Sequence, residues 1–407
     1  MGFKGGLKTF AALRYRNYRL LWTGTLVSAF GDWIDQIALN WLVVQITDSP
    51  VYLGLVNLCR GLPILVFTLI GGAMADRNER RGLMVATQGG AMILALVLAA
   101  LVYGGVVNIW LVLVIATLRG ALASVNLPAR HSLISDLVPR EHLANAIALN
   151  SLTRNIMKVV GPALAGILIG LLGTAACFAI NAATFVAVLV SLLMMDVTTE
   201  VHAANTTSIA ASLLEGFNFV WRHETIGVLV LIALVPTFFG QNYLSMLTLF
   251  ARDVFQWGPE GLGLLTSCAA LGSVLGALAL ATVPRLARSG QMMLIFLIVF
   301  GVCLVGFALT PWVAVAPVLL LGAGAMQIAY NATNNTILQM TVPDQMRGRV
   351  LSTLLLNKGL ASLGTATAAT LAAFMGERWA LAAMAAAIVL LGTLVYAKAV
   401  PIRRLDV

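Results

Sequence analysis

The sequence predicts an all-α polytopic membrane protein with 12 transmembrane helices in two pseudo-symmetric six-helix bundles. Three observations lead there. The 407 residues are 60% hydrophobic, with a mean hydropathy of +0.94, and only 10% are charged. A soluble chain carries roughly 25% charged residues, so a cytosolic enzyme, a disordered regulator and a secreted disulfide scaffold are excluded. Apolar segments long enough to span hydrocarbon, about 20 residues each, follow one another along nearly the whole chain. The polar stretch from Asp196 to Glu224 divides them six and six.

In order, the segments are 20–46, 51–75, 82–104, 108–129, 142–171, 174–195, 225–250, 260–283, 291–310, 312–337, 346–373 and 378–400. The resulting plan has an N-terminal cytoplasmic segment (1–19), an N-terminal bundle (20–196) and a cytoplasmic linker with an amphipathic helix (197–224). A C-terminal bundle (225–400) and a cytoplasmic tail (401–407) follow. Ser212-Leu-Leu-Glu215 in the linker has the spacing of a capping box, which chance supplies as readily.

With both termini in the cytoplasm, eighteen Lys and Arg fall on the inner side and only Arg252 and Arg378 on the outer. That asymmetry is the positive-inside pattern, and it places a multi-pass chain in the cell (inner) membrane. It also explains the net charge of +9 without a nucleic acid partner. The basic start (Lys4, Lys8, Arg14, Arg16, Arg19) runs into an apolar stretch too long for a signal peptide. Cys59, Cys177, Cys268 and Cys303 sit in apolar segments without CxxC spacing, and the four histidines have no metal-ligand spacing. No metal and no cofactor are expected.

The halves form a weak repeat. Laying Pro139 on Pro343, an offset of 204, superposes Leu133-Ile134 on Ile337-Leu338 and Arg154 on Lys358. A parallel duplication about the membrane normal fits.

A charge at the bilayer centre costs at least roughly 2.5–3.5 kcal/mol, so charges inside segments normally face a bundle interior or a wet cavity and mark a transport path. Asp32 and Asp35 are three residues apart and share a face of the first helix, about 18–23 Å along it. They are candidates for proton coupling, Asp32 ahead of Asp35. The alternative is a static ion pair to Arg60 or Arg119 that only fixes packing. Arg60, Arg119, Arg154, Lys158 and Lys358 are the embedded cations. Their excess over the acids favours an anionic substrate, unless some of them snorkel to the interface.

Phe238, Gln241 and Tyr243 on the seventh segment, with Gln327, Tyr330 and Asn331 on the tenth, would make a mixed aromatic and amide wall for a bulky substrate. Interhelical packing is the alternative. Gly161-Pro162 with Gly166 is expected to break the fifth helix. Glycines there and in the eighth segment would let helices five and eight, like helices two and eleven, approach closely, as two rocking halves require. The embedded charges are expected to gather around a wet vestibule between the bundles.

The loop after the second segment reads Gly72-Ala-Met-Ala-Asp76-Arg77-Asn-Glu-Arg80-Arg81. It resembles the signature loop of the major facilitator superfamily, G-x-x-x-D-R-x-x-R-R, with Glu79 where glycine is commoner. Arg119-Gly120 resembles the family's fourth-helix Arg motif. Gly161-Pro162-Ala-Leu-Ala-Gly166 resembles the fifth-helix motif of its antiporters, with Ala165 replacing a glycine. Arg16-Asn-Tyr-Arg-Leu-Leu-Trp22, Phe30-Gly-Asp32, Asn126-Leu-Pro-Ala-Arg130 and the stretch from Leu214 to His223 look like the bacterial branch of macrolide efflux pumps and the enterobactin exporter. By this resemblance Asp76 would lock a cytoplasmic gate by pairing with cations. Helices one, four, seven and ten would line the cavity.

These readings give a secondary active transporter, a proton-coupled exporter (antiporter) of an amphipathic, anionic small molecule such as a siderophore or drug. It would work by alternating access, as a monomer in the lipid bilayer. No GxxxxGK[ST] loop points to ATP. A lysophospholipid translocator working by facilitated diffusion is the alternative. A membrane enzyme lacks HExxH or GxSxG, and a channel lacks a repeated filter.

Overall fold

The computed structural model describes residues 10–196, 218–282 and 288–343, Met346, Val350, residues 356–403 and Leu405. Every regular element among them is helical. After a 3₁₀ turn at Ala11–Arg14 come α1 (Arg16–Thr47), α2 (Pro50–Arg77), α3 (Arg80–Tyr103) and α4 (Ile109–Leu137). The run Arg140–Leu193 is divided at Gly173 into α5 (140–172) and α6 (174–193). Then follow α7 (Glu224–Gly240), α8 (Tyr243–Leu249) with a π turn at Phe250–Val254, α9 (Pro259–Ala281), α10 (Ser289–Leu309) and α11 (Ala316–Thr341). The chain ends with α12 (Leu356–Met375), α13 (Glu377–Lys398) and the short α14 (Val400–Arg403). Taking α7 and α8 as one interrupted span and leaving out α14, these are the 12 helices of the predicted fold. Eight helical runs among the described residues, one of them the double run 140–193, are long and apolar enough on their own to cross a membrane.

The chain divides into two compact units. Unit 1 comprises Met1–Ile46 and Cys59–Asn205, and unit 2 comprises Thr47–Leu58 and Thr206–Val407. The linker's residues 197–217, with the Ser212 to Glu215 match, lie outside the described residues.

The break expected at Gly161-Pro162 is absent. The helix runs through Pro162, and the one non-helical residue in 140–193 is Gly173, at φ 78° and ψ 171°. A membrane helix tolerates proline because neighbouring groups satisfy the freed carbonyl, whereas the positive φ at Gly173 suits a residue without a Cβ. The seventh span breaks at Gln241-Asn242 instead. There the Asn242 amide donates to the Phe238 and Phe239 carbonyls at 3.1 and 3.0 Å, which supplies partners for backbone oxygens at the interruption.

Small residues set the helix spacings. In unit 1, Gly24 and Gly31 lie two turns apart on α1 and press on α6. A Cβ at Gly24 would sit 2.7 Å from Ser191 Oγ, and one at Gly31 would sit 2.6 Å from Asn181 Oδ1. Gly161 of α5 lies against Trp33, so a Cβ there would be 2.6 Å from the Trp33 Cβ. Gly120 of α4 faces the Arg60 carbonyl of α2. The Tyr18 hydroxyl donates to the Ala146 carbonyl at 2.8 Å and pins the start of α1 on α5.

In unit 2, Gly272 and Gly276 of α9 face α11, where a Cβ on Gly276 would come 2.7 Å from Ala325 Cα, and Gly324 of α11 returns the contact at Ala269. Without a hydrophobic drive between helices in lipid, such close backbone approach supplies the packing energy. The first turns of α2 pack on α12 at Gly54, where a Cβ would lie 2.7 Å from the Ala369 Cβ. Trp110, Trp312 and Trp379 are exposed at span ends, the depth at which amphipathic rings sit among headgroups.

Gly120→Ala places a Cβ against the Arg60 backbone oxygen. It is expected to lower the thermal unfolding midpoint in detergent, with a strain of about 1–3 kcal/mol. Gly89→Ala, whose Cβ would meet nothing within 4 Å, leaves the midpoint unchanged or raises it.

Candidate functional site

The middle of α1 carries the two carboxylates, and the structure gives them different surroundings. Asp35 is fully buried. It accepts a hydrogen bond from Arg119 Nη1 of α4 and lies 3.5 Å from Arg60 Nη1 of α2. Arg119 is itself buried, 7% exposed. Asp35 is thus the carboxylate in a static ion cluster. Such a cluster is strongly destabilised when one partner is removed, because a buried charge is left uncompensated. The close approach of α2 and α4 at Gly120 brings Arg60 and Arg119 to the same carboxylate.

Asp32 sits one turn before Asp35 on the same face of α1. It makes no ion pair within 4.0 Å among the described residues. Instead it lines a cavity of about 280 Å³ inside unit 1. Gln36 of α1, Arg60 of α2, Thr87 and Gln88 of α3, and Arg119, Asn126 and Arg130 of α4 also line it, with Trp33 and Phe185 as aromatic wall. The α4 residues follow helical spacing. Arg119, Asn126 and Arg130 stand at i, i+7 and i+11, on one stripe facing the cavity. The Asn126 amide donates to Thr87 Oγ at 2.8 Å and ties that stripe to α3. The charges of Arg119, Arg130 and Arg60 all reach Asp32.

Arg130 is the residue that sequence reasoning missed. The apolar segment 108–129 stops one residue short of Arg130 and leaves it to a cytoplasmic loop. The structure carries α4 through Pro128 to Leu137, so Arg130 is inside the helix. Its Nε is buried without a hydrogen-bond partner among the described residues. The signal was its spacing from Arg119 and Asn126.

The other expected binding residues divide. Arg154 is exposed, 3.4 Å from Ser151 Oγ, and Lys158 is half-buried one turn on. Neither lines the cavity that holds Asp32. The side chain of Lys358 lies outside the described residues. In unit 2, Tyr243 and Tyr330 are core residues rather than an open wall. They are 1% and 2% exposed and pack on Phe300, at centroid distances of 6.3 and 6.0 Å. Gln327 is buried, Phe238 and Asn331 are half-buried, and Gln241 is exposed.

Among the expected gate residues, Arg80 pairs with Asp136 at the end of α4. Arg81 donates to the Leu192 and Leu193 carbonyls at 2.8 and 3.0 Å, satisfying the open end of α6. Both bonds lie within unit 1. Gly72 has open space where a Cβ would stand. Gly161, Pro162 and Gly166 are buried in α5. The side chains of Asp76 and Arg77 lie outside the described residues.

Asp35→Ala leaves the buried Arg119 unpaired and is expected to cost about 3–5 kcal/mol. The thermal midpoint of the purified protein should drop accordingly. A paired Asp35→Leu and Arg119→Met change, which leaves only the partly exposed Arg60 of the cluster, should recover most of that loss. If the double variant is no more stable than Asp35→Ala, the cluster is not what holds these helices.

Residues 7–406 match the family model described as transmembrane secretion effector. Among characterised relatives, the chain is 29% identical to a staphyloferrin A transporter of Staphylococcus aureus, over 82% of this chain and 84% of that one. It is 27% identical to the multidrug efflux pump Tap of Mycolicibacterium fortuitum (82% and 83% covered) and 26% identical to the enterobactin exporter EntS of Shigella flexneri (82% and 79%). Its fold matches that of a bacterial homologue of the human lysosomal transporter Spinster, solved inward-facing and unoccupied, with a TM-score of 0.72 at 17% identity over 97% of both chains. A fold of 12 helices with no strand among the described residues, a charged cavity inside one bundle and a family match over nearly the whole length converge: the chain belongs to the transmembrane secretion effector family and is a multi-pass membrane transporter of the major facilitator type, not an enzyme.

Proposed function

We propose that this transporter is a proton-coupled exporter of an amphipathic, anionic small molecule of the siderophore or drug class, working by alternating access. The observation that carries this reading is the unequal treatment of two neighbouring carboxylates. Asp35 is locked by Arg119 and Arg60, while Asp32 faces a cavity and has no ion-pair partner within 4.0 Å among the described residues. A carboxylate held in a cavity between desolvation, which favours its neutral form, and nearby cations, which favour its charged form, is poised to take up and release a proton. Asp35 is held in a buried ion pair with Arg119.

Three arginines against two aspartates line or adjoin the cavity, and this excess favours an anion. The aromatic side chains Trp33 and Phe185 offer a surface for the apolar part of such a molecule. The named cargoes of relatives, a siderophore or several drugs, support the same class. The Lys and Arg distribution supports an inner-membrane chain with both termini cytoplasmic. A cationic cavity also suits a phosphate, so lysophospholipid translocation by facilitated diffusion is the second reading.

Purified protein in pyranine-loaded proteoliposomes, challenged with matched anionic and cationic amphiphiles, tests the proposal. Anionic amphiphiles are expected to drive proton flux in the parent. Asp32→Asn is expected to abolish that flux while its thermal unfolding profile stays that of the parent. Undiminished proton flux in Asp32→Asn sinks the coupling role. Uptake of a labelled lysolipid without any gradient favours the second reading.

A further inference from the structure

We infer that Arg130 forms a carboxylate-binding subsite in the unit 1 cavity, separate in role from the Asp35 cluster. The inference rests on the anionic-substrate reading above and names the group that is recognised and the residue that recognises it. Of the three guanidiniums lining the cavity, two are committed. Arg119 and Arg60 both serve Asp35. Arg130 makes no ion pair within 4.0 Å among the described residues, and its Nε–H is buried with no acceptor. A buried donor left without a partner costs roughly 1–3 kcal/mol, more for a charged group, so its position asks for an acceptor that the chain itself does not supply.

The chemistry of that acceptor follows from the donor. A guanidinium is a rigid planar fork with five N–H donors, and one fork matches one planar carboxylate through two parallel hydrogen bonds. The same fork can also take a phosphate through two hydrogen bonds, but one uncommitted guanidinium balances a single carboxylate charge and not a dianion, because Arg60 and Arg119 are held by Asp35. Asn126, one turn earlier on α4, and Gln88 on α3 are amides lining the same cavity, able to bond the polar groups beside a carboxylate. Asp32 shares the cavity with Arg130, and each charge reaches the other. An incoming carboxylate therefore competes with Asp32 for the field of Arg130, which places the substrate's charge next to the proposed proton site.

Citrate serves as the probe, with neutral triethyl citrate and inorganic phosphate as comparisons, titrated calorimetrically into the full-length protein in nanodiscs. Saturable citrate binding is expected, with no binding of the ester. Arg130→Gln is expected to weaken citrate by about tenfold or more, the worth of a charge-assisted hydrogen bond. Arg130→Lys, which keeps the charge and loses the fork, should fall between. Arg14→Gln, on the exposed 3₁₀ turn, should bind as the parent does. The inference is overturned if Arg130→Gln or Arg130→Lys binds citrate as tightly as the parent. It is equally overturned if the ester binds like the acid, if phosphate displaces citrate at equal concentration, or if the parent shows no saturable citrate binding. Should Arg130→Gln fail to fold, the Lys variant decides. Anion-driven proton flux without an Arg130 effect on citrate sinks this inference alone; Arg130-dependent citrate binding without any proton flux sinks the export reading alone.

Discussion

The Asp35–Arg119–Arg60 cluster is the interaction on which the arrangement of unit 1 depends. Removing a carboxylate and two guanidiniums from water costs several kcal/mol per ion, and the cost is recovered only where short ion pairs form in a low dielectric. They form only if α1, α2 and α4 come within side-chain reach of one point. Gly120 against the Arg60 carbonyl makes that approach sterically possible, and Gly24 and Gly31 bring α1 onto α6 from its other side. The ion cluster and the small residues are therefore one device: the glycines permit a spacing that the charges then require.

That device divides the labour between two carboxylates one turn apart. Asp35 is consumed by structure, which leaves Asp32 exposed to whatever enters the cavity. The same division separates the arginines. Arg119 and Arg60 face the cavity but are engaged, while Arg130, at the far end of the α4 stripe, has unused donors. The proton-coupled cycle proposed above needs ionisable groups that change partners, and groups committed to a buried pair change partners only at the expense of the fold.

Unit 2 holds its described interior together by other means. Its core is aromatic, with Phe300 between Tyr243 and Tyr330, and its polar interior is built of amides such as Asn242, Gln327 and Asn334. Interlocking small residues of α9 and α11 take the place of ion pairs. The chemistry of charge, within the described residues, is concentrated in unit 1. The signature loop also turns out to be partly architectural, since Arg80 and Arg81 tie the start of α3 to the ends of α4 and α6.

Composition and hydropathy alone determined the fold class, because lipid leaves a chain this apolar few options but spanning helices. They also placed Asp32, Asp35, Arg60 and Arg119 as functional candidates, since charge inside an apolar segment is costly wherever it occurs. Which aspartate is locked, whether a proline breaks its helix, where α4 ends and which rings are core were decided by tertiary structure. Asp32 and Asp35 share a helix face and a residue type, and only the positions of Arg119 and Arg60 distinguish them. Arg130 read as a loop residue because hydropathy falls where a polar helix face begins, whether or not the helix stops there. Pro162 stays inside its helix, and the break falls at Gly173, because membrane helices tolerate proline and a positive φ suits a residue without a Cβ.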